Sequence, residues 1–166
     1  MTSVDVVVAV RNEEETIPQF VHDVFRLDLP DGVRLGLIFV EDSSTDGTRS
    51  VLQREAASNP AVSYYALAKG FGQGPAVIFG VSRSTADGVI MMDVDGTHPI
   101  SAIPELIGEF LSGRNIVQCM RRSLPGRPPY RRIGAAAFHW LARLVTGANT
   151  QQQNILQRPP FEGQQS

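Results

Sequence analysis

Two aspartates one residue apart, Asp93 and Asp95, follow the apolar run Gly88-Val89-Ile90-Met91-Met92. A buried strand cannot end in unpaired carboxylates, because a desolvated charge is costly. Successive side chains of an extended chain alternate faces, so both aspartates are expected on one side where the strand meets a loop. Two hard oxygen ligands there suit Mg2+ or Mn2+ carrying a phosphate-bearing substrate. Asp95 is the better candidate for direct coordination, with Asp93 acting through the metal, a water or a ribose hydroxyl. Thr97 offers a further oxygen, and His98 beside Pro99 is either a site residue or loop structure. An isolated D-x-D is more often two solvated acids at a turn. Its place after an apolar strand favours the metal.

Other clusters carry weaker signals. Glu41-Asp42 also follows an apolar run, and Asp42 either accepts hydrogen bonds from a nucleotide base or ribose, or caps the turn with Ser43 and Ser44. Asp46-Gly47 reads as turn chemistry, with Gly47 supplying a positive φ. Lys69-Gly70-Phe71-Gly72-Gln73-Gly74 either brings backbone amides and a cation to a diphosphate or is simply flexible. It matches neither the Walker pattern nor G-x-G-x-x-G. Arg121, Arg122, Arg127, Arg131 and Arg132 form a basic stretch whose guanidinium forks suit an anionic acceptor. No Ser-His-Asp or Cys-His order emerges. His22, His98 and His139 lack zinc spacing, and Cys119 reads as an inert core thiol.

The elements that must position these residues alternate. Strands are expected over Val4–Val10, Leu35–Val40, Val62–Leu67, Gly88–Met92 and Asn115–Met120. Helical spacing connects them at Phe20 to Leu27, Arg49 to Ala57, Ala76 to Ser82 and Ile103 to Leu111, and again at Ile133 to Val145. Glu13, Glu14 and Glu15 suit a first helical turn, and Ser or Thr caps are at hand before Arg49. This is the pattern of an α/β layered domain with a mostly parallel sheet, in which ligands bind beyond the C-terminal strand ends. Asn12 to Glu14, Glu41-Asp42, Lys69 and Asp93/Asp95 all fall at such ends. From about Gly147 little is left to bury, so residues 147–166 read as a polar, poorly ordered tail, a truncation or an altered frame.

At 166 residues, 42% hydrophobic and 19% charged, one globular domain is expected. A net charge of −2 gives no case for nucleic acid. A single cysteine excludes an internal disulfide and fits a reducing cytoplasm. No run approaches the roughly 20 apolar residues of a membrane span, and the N-terminus lacks the basic region of a signal peptide.

Taken in order, the motifs resemble the inverting family 2 glycosyltransferases of GT-A fold, closest to polyprenol- or dolichol-phosphate mannosyltransferase-like enzymes. Val7-Val8-Ala9-Val10-Arg11-Asn12-Glu13-Glu14 is similar to their V-I-P-x-Y-N-E-x-x, with Arg11 in place of tyrosine. Val40 to Thr48 is similar to V-D-D-x-S-x-D-G-T, and Asp93 to Pro99 to D-A-D-x-Q-H-P, with Thr97 in place of glutamine. Met120-Arg121 and Tyr130-Arg131-Arg132 fall on the later arginine motifs, whereas Ala148 to Asn154 stands where D-x-x-x-G-F-R is usual. The resemblance covers residues 4 to 146. It implies a metal-dependent, inverting sugar transfer from a GDP- or UDP-sugar to an acceptor, a polyprenyl (lipid) phosphate at the inner face of a membrane. Val10, Asn12, Glu14, Asp42, Lys69 and Asp93 would hold the donor. Asp93, Asp95 and Thr97 would hold Mg2+ or Mn2+, and Arg121 and Arg131 would contact donor or acceptor phosphate. A nucleotidyltransferase would instead show a basic, glycine-rich motif near the first strand, where this chain is acidic. A domain that binds nucleotide without turnover is the remaining alternative.

Overall fold

The computed structural model describes residues 1–96 and 99–114, and the backbone of 116–118 and 155–157. The chain divides into two compact units, Met1–Cys119 with Asn154–Ser166, and Met120–Gln153. The second lies outside the described residues, as does the helix expected over Ile133 to Val145.

Among the described residues the first unit holds six strands: β1 (Thr2–Val10), β2 (Val33–Glu41), β3 (Val62–Ala66), β4 (Gly88–Met91), β5 (Ile116–Gln118) and β6 (Ile155–Gln157). They form one sheet in the order β3-β2-β1-β4-β6-β5. The pairs β1–β2, β2–β3 and β1–β4 are parallel. β6 runs antiparallel to both β4 and β5. Four helices connect or follow the strands: α1 (Ile17–Val24), α2 (Thr48–Ser58), α3 (Gln73–Arg83) and α4 (Ile103–Leu111). The α/β layered, mostly parallel architecture is thus the one the alternating pattern predicts.

The valine-rich composition of β1 follows from its central place. Val4, Val6, Val7 and Val8 are fully buried, which requires cover on both sheet faces. Alternation sends Val4, Val6, Val8 and Val10 to one face, with Leu35, Leu37, Phe39 and Ile90. There they pack with Ile17, Phe20, Val24, Leu52, Leu106 and Phe110 of the helices, and Phe20 meets Phe39 edge-on at 6.1 Å between ring centroids. Val7, Ile38 and Val89 point to the opposite face. α3 covers that face closely because Gly80 has no side chain: a Cβ there would lie 2.5 Å from Val7 Cγ1 and 2.9 Å from Val40 Cγ2.

Several boundaries differ from the sequence expectation. α1 begins at Ile17, so no acid stands in its first turn; Glu13 and Glu14 bond across to the loop after β2 instead. α3 begins at Gln73 rather than Ala76. Gly72, at φ +89°, turns the chain, and Pro75 fits a first turn whose N–H groups have no intrahelical partner. α2 is not capped by a Ser or Thr side chain; Asp46 Oδ1 accepts from Thr48 N at 3.0 Å. Ile155–Gln157, within the stretch read as a polar tail, pair in register with Met91 to Val89, satisfying backbone groups along that side of β4. The remaining tail residues lie outside the described ones.

Candidate functional site

Strand order reverses at β1, with β2 on one side and β4 on the other, and such a reversal opens a crevice at the C-terminal strand ends. The described candidates Asn12, Glu14, Asp42, Lys69, Asp93 and Asp95 all sit on loops leaving that rim. Val10 stands apart: its side chain is core, and it contributes a carbonyl that accepts from Asp42 N at 2.9 Å.

Glu41 and Asp42 are adjacent and do different work. Strand alternation sends Glu41 the way of Phe39, toward α2, and Asp42 the way of Val40, toward α3. Glu41 is fully buried; Oε1 accepts from Ser44 N, and Oε2 accepts from Arg49 Nη2 at 2.8 Å and Nε at 3.1 Å. Burial pushes its pKa up, but the Ser44 and Arg49 hydrogen bonds outweigh that and hold it below the ordinary 4.5.

The loops after β1 and β2 are tied to each other. Asn12 and Ser43 both adopt left-handed backbone, at φ 57° and 61°. Asn12 Oδ1 accepts from Thr45 N at 2.8 Å, and Asn12 N donates to Ser44 Oγ at 3.1 Å. Glu13 N donates to the buried Thr48 Oγ1 at 2.8 Å, and Gly47 N donates to Glu14 Oε2 at 2.7 Å. Gly47 has an ordinary φ of −78°, so the expected positive φ is absent; a Cβ there would instead run into the Glu14 carboxylate at 2.2 Å. Asp46 accepts from Thr48 and Glu14 amides, and these bonds hold its pKa below 3.8 against the opposing push of desolvation.

Asp42 faces the glycine-rich loop. Its Oδ1 accepts from Phe71 N at 2.7 Å and its Oδ2 from Gly72 N at 2.8 Å, while the residue is 4% exposed. One residue on, Gln73 Nε2 donates to Asp93 Oδ1. Lys69 is exposed, with Nζ 5.0 Å from the Phe71 ring centroid, and the Arg11 guanidinium lies beside Gly70. Asp95 is exposed and Asp93 half-buried.

Thr97, His98, Arg121 and Arg131 lie outside the described residues. Among the described residues no group of three or more His, Cys, Asp or Glu could hold a metal. Two carboxylates nonetheless suit a divalent ion that arrives with a diphosphate and keeps part of its water, which is the usual mode for Mg2+ at phosphate sites. Gln73 was missed in the sequence, where it sat inside an apparent glycine loop. Only recognition that Gly72 ends the loop could have put it on a helix.

Residues 5–160 match the family described as glycosyl transferase family 2. The chain belongs to that family. It is 36% identical over 126 residues to the prophage bactoprenol glucosyl transferase homolog of Escherichia coli (strain K12), covering 75% of this chain and 41% of that protein. It is 30% identical over 143 residues to an undecaprenyl-phosphate 4-deoxy-4-formamido-L-arabinose transferase of Pseudomonas aeruginosa (strain LESB58), covering 86% and 40%. This family 2 chain therefore spans about two fifths of the length of those curated relatives. Its fold is similar to that of a Pyrobaculum calidifontis mannosyltransferase solved with GDP-Man and Mn2+ (TM-score 0.61, 24% identity, 72% of this chain and 35% of that one). It is also similar to Mycobacterium tuberculosis glucosyl-3-phosphoglycerate synthase solved with Mn2+, UDP-glucose and phosphoglyceric acid (TM-score 0.65, 20% identity, 95% and 57%). The family 2 domain thus has the GT-A fold.

Proposed function

We propose that this chain provides the donor-binding core of an inverting, metal-dependent glycosyltransferase that moves a sugar from a nucleoside-diphosphate sugar to a polyprenyl phosphate. The observation that supports it best is the juncture of Asp42, the Phe71–Gln73 loop and Asp93 on one rim of the sheet. A nucleoside placed at Asp42 extends its diphosphate along the loop toward Asp93 and Asp95. The 36% identity to a bactoprenol glucosyl transferase homolog supports the lipid-phosphate acceptor.

The acceptor phosphate oxygen is already anionic, so it attacks the anomeric carbon without a strong general base. Direct displacement breaks the bond to the nucleoside diphosphate and inverts the anomeric centre. A divalent ion, when bound, neutralises charge growing on the departing diphosphate. Asp93 and Asp95 would hold it, with Thr97 as a further oxygen. Asn12, Glu14 and Lys69 border the donor, and Arg121 and Arg131 pair with phosphate. Among the described residues no helix is long and apolar enough to cross a membrane. The proposed acceptor lies at the inner face of a membrane, where a polyprenyl phosphate presents its headgroup.

Calorimetry with GDP- and UDP-sugars, with and without Mn2+, followed by turnover on vesicles carrying polyprenyl phosphate, tests the reading. Mn2+-dependent binding of one donor and transfer to the lipid are expected. Failure to bind either donor refutes the site; binding without transfer refutes the acceptor.

A further inference from the structure

We propose that Gln73 is a positioning residue that orients the Asp93 carboxylate and couples it to the Asp42 side of the rim; this rests on the nucleotide-sugar reading above. Gln73, Ala76 and Gly80 stand at i, i+3 and i+7, one line along α3. Ala76 is fully buried and Gly80 is packed against Val7 and Val40, so that line faces the sheet. Gln73 continues it to the C-terminal rim, where its Nε2 reaches Asp93 Oδ1.

The backbone immediately before Gln73 is fixed by the Asp42 carboxylate, where the proposed function places the nucleoside. Phe71 N and Gly72 N each donate to one oxygen of Asp42, at 2.7 and 2.8 Å. Hydrogen bonds to an ionised acceptor are about twice as strong as neutral ones. Three consecutive residues therefore connect two carboxylates that follow different strands, with a charge-assisted bond at each end. An amide is suited to the Asp93 end because it donates without a positive charge, and so does not compete with a divalent ion there. Holding Oδ1 sets the direction in which the Asp93 carboxylate faces the ion. A ligand that tightens the loop at Asp42 then improves ion binding at Asp93, and the ion improves that ligand's binding by the same factor.

The test uses the full chain and Mn2+ alone, with free Mn2+ read by electron paramagnetic resonance. Gln73→Ala should weaken Mn2+ binding about 10-fold, the low end of what removal of a metal ligand's partner costs. Its melting temperature should stay within about 3 °C, as for a surface change. Asp42→Asn should weaken Mn2+ binding about threefold in the parent and not at all in the Gln73→Ala background, the non-additivity of coupled residues. In a 1H–15N spectrum, the Gln73 side-chain amide signal, identified by its loss in Gln73→Ala, should shift in both Asp93→Asn and Asp42→Asn. Signals unmoved by either substitution overturn the relay whatever the metal does. Mn2+ binding indifferent to Gln73→Ala, or additive effects, overturns it while leaving the donor site standing. Shifted signals in a chain that binds no Mn2+ support the contact and overturn its coupling to the ion.

Discussion

The rim after β1 and β2 and the rim after β4 are both rich in acids and hydroxyls, and the bonds described at each join different parts of the fold. Around Asn12 and Ser43 the polar side chains close on neighbouring loop amides: Asn12 on Thr45, Glu14 on Gly47, Thr48 on Glu13, Glu41 on Ser44. At the β4 end, Asp95 is exposed and Asp93 reaches the glycine-rich loop only through Gln73 among the bonds described. Much of the motif Val40 to Thr48 thus serves to hold two loops together, whereas Asp42 accepts from the amides of the glycine-rich loop.

Substitutions should separate the two ends. The largest effect is expected at Asp95→Ala, with turnover reduced at least about 100-fold, equivalent to about 2.7 kcal/mol of barrier, and the melting temperature unchanged. A comparable loss of melting temperature would place Asp95 with the structural group. Glu41→Ala should do the reverse, costing about 1–3 kcal/mol in denaturant unfolding because Ser44 N loses its acceptor in a partly buried setting. Asn12→Ala follows at about 1–2 kcal/mol, since alanine tolerates φ 57° poorly and Thr45 N is left unpaired. Asn12→Gly, which adopts φ 57° without strain and leaves only the Thr45 N penalty, should cost less; an equal cost would mean that backbone strain plays no part.

Acid should produce the smallest and most gradual change. Glu41 and Asp46 both have folded-state pKa values below their ordinary 4.5 and 3.8. The unfolded chain then binds more protons as the pH falls, so their contribution is complete above 4.5 and is lost as the pH drops through the lower folded values. Amide exchange at Ser44 and Thr48 should quicken relative to the sheet over that range. Exchange that stays in step with the sheet would break the comparison.

The strands and their order of appearance were legible because a doubly covered strand must be apolar almost throughout, as β1 is. The site was legible as positions: Asn12, Asp42, Lys69 and Asp93 were placed at strand ends by the apolar runs that precede them. Their partners were not. Left-handed backbone at Asn12 and Ser43 is rare outside glycine and has no pattern in the sequence. Bonds such as Glu13 N to Thr48 join residues 35 apart. Gln73 was hidden because three glycines around it resemble a flexible loop, whereas one of them is a fixed turn into a helix. β6 is three residues long, too short for any periodicity to show.

Gly80 also has a mechanical consequence. Seven residues of α3 separate it from Gln73, about 10 Å at 1.5 Å per residue. The close approach at Gly80 acts as a clamp on a rod whose tip touches Asp93. An added methyl that tips the rod by about 5° at the clamp carries the tip through about 1 Å. A displacement of that size can cost about 100-fold in rate. Gly80→Ala, which presses a methyl against Val7 and Val40, should therefore be felt in ion binding at the rim as well as in the stability of the fold.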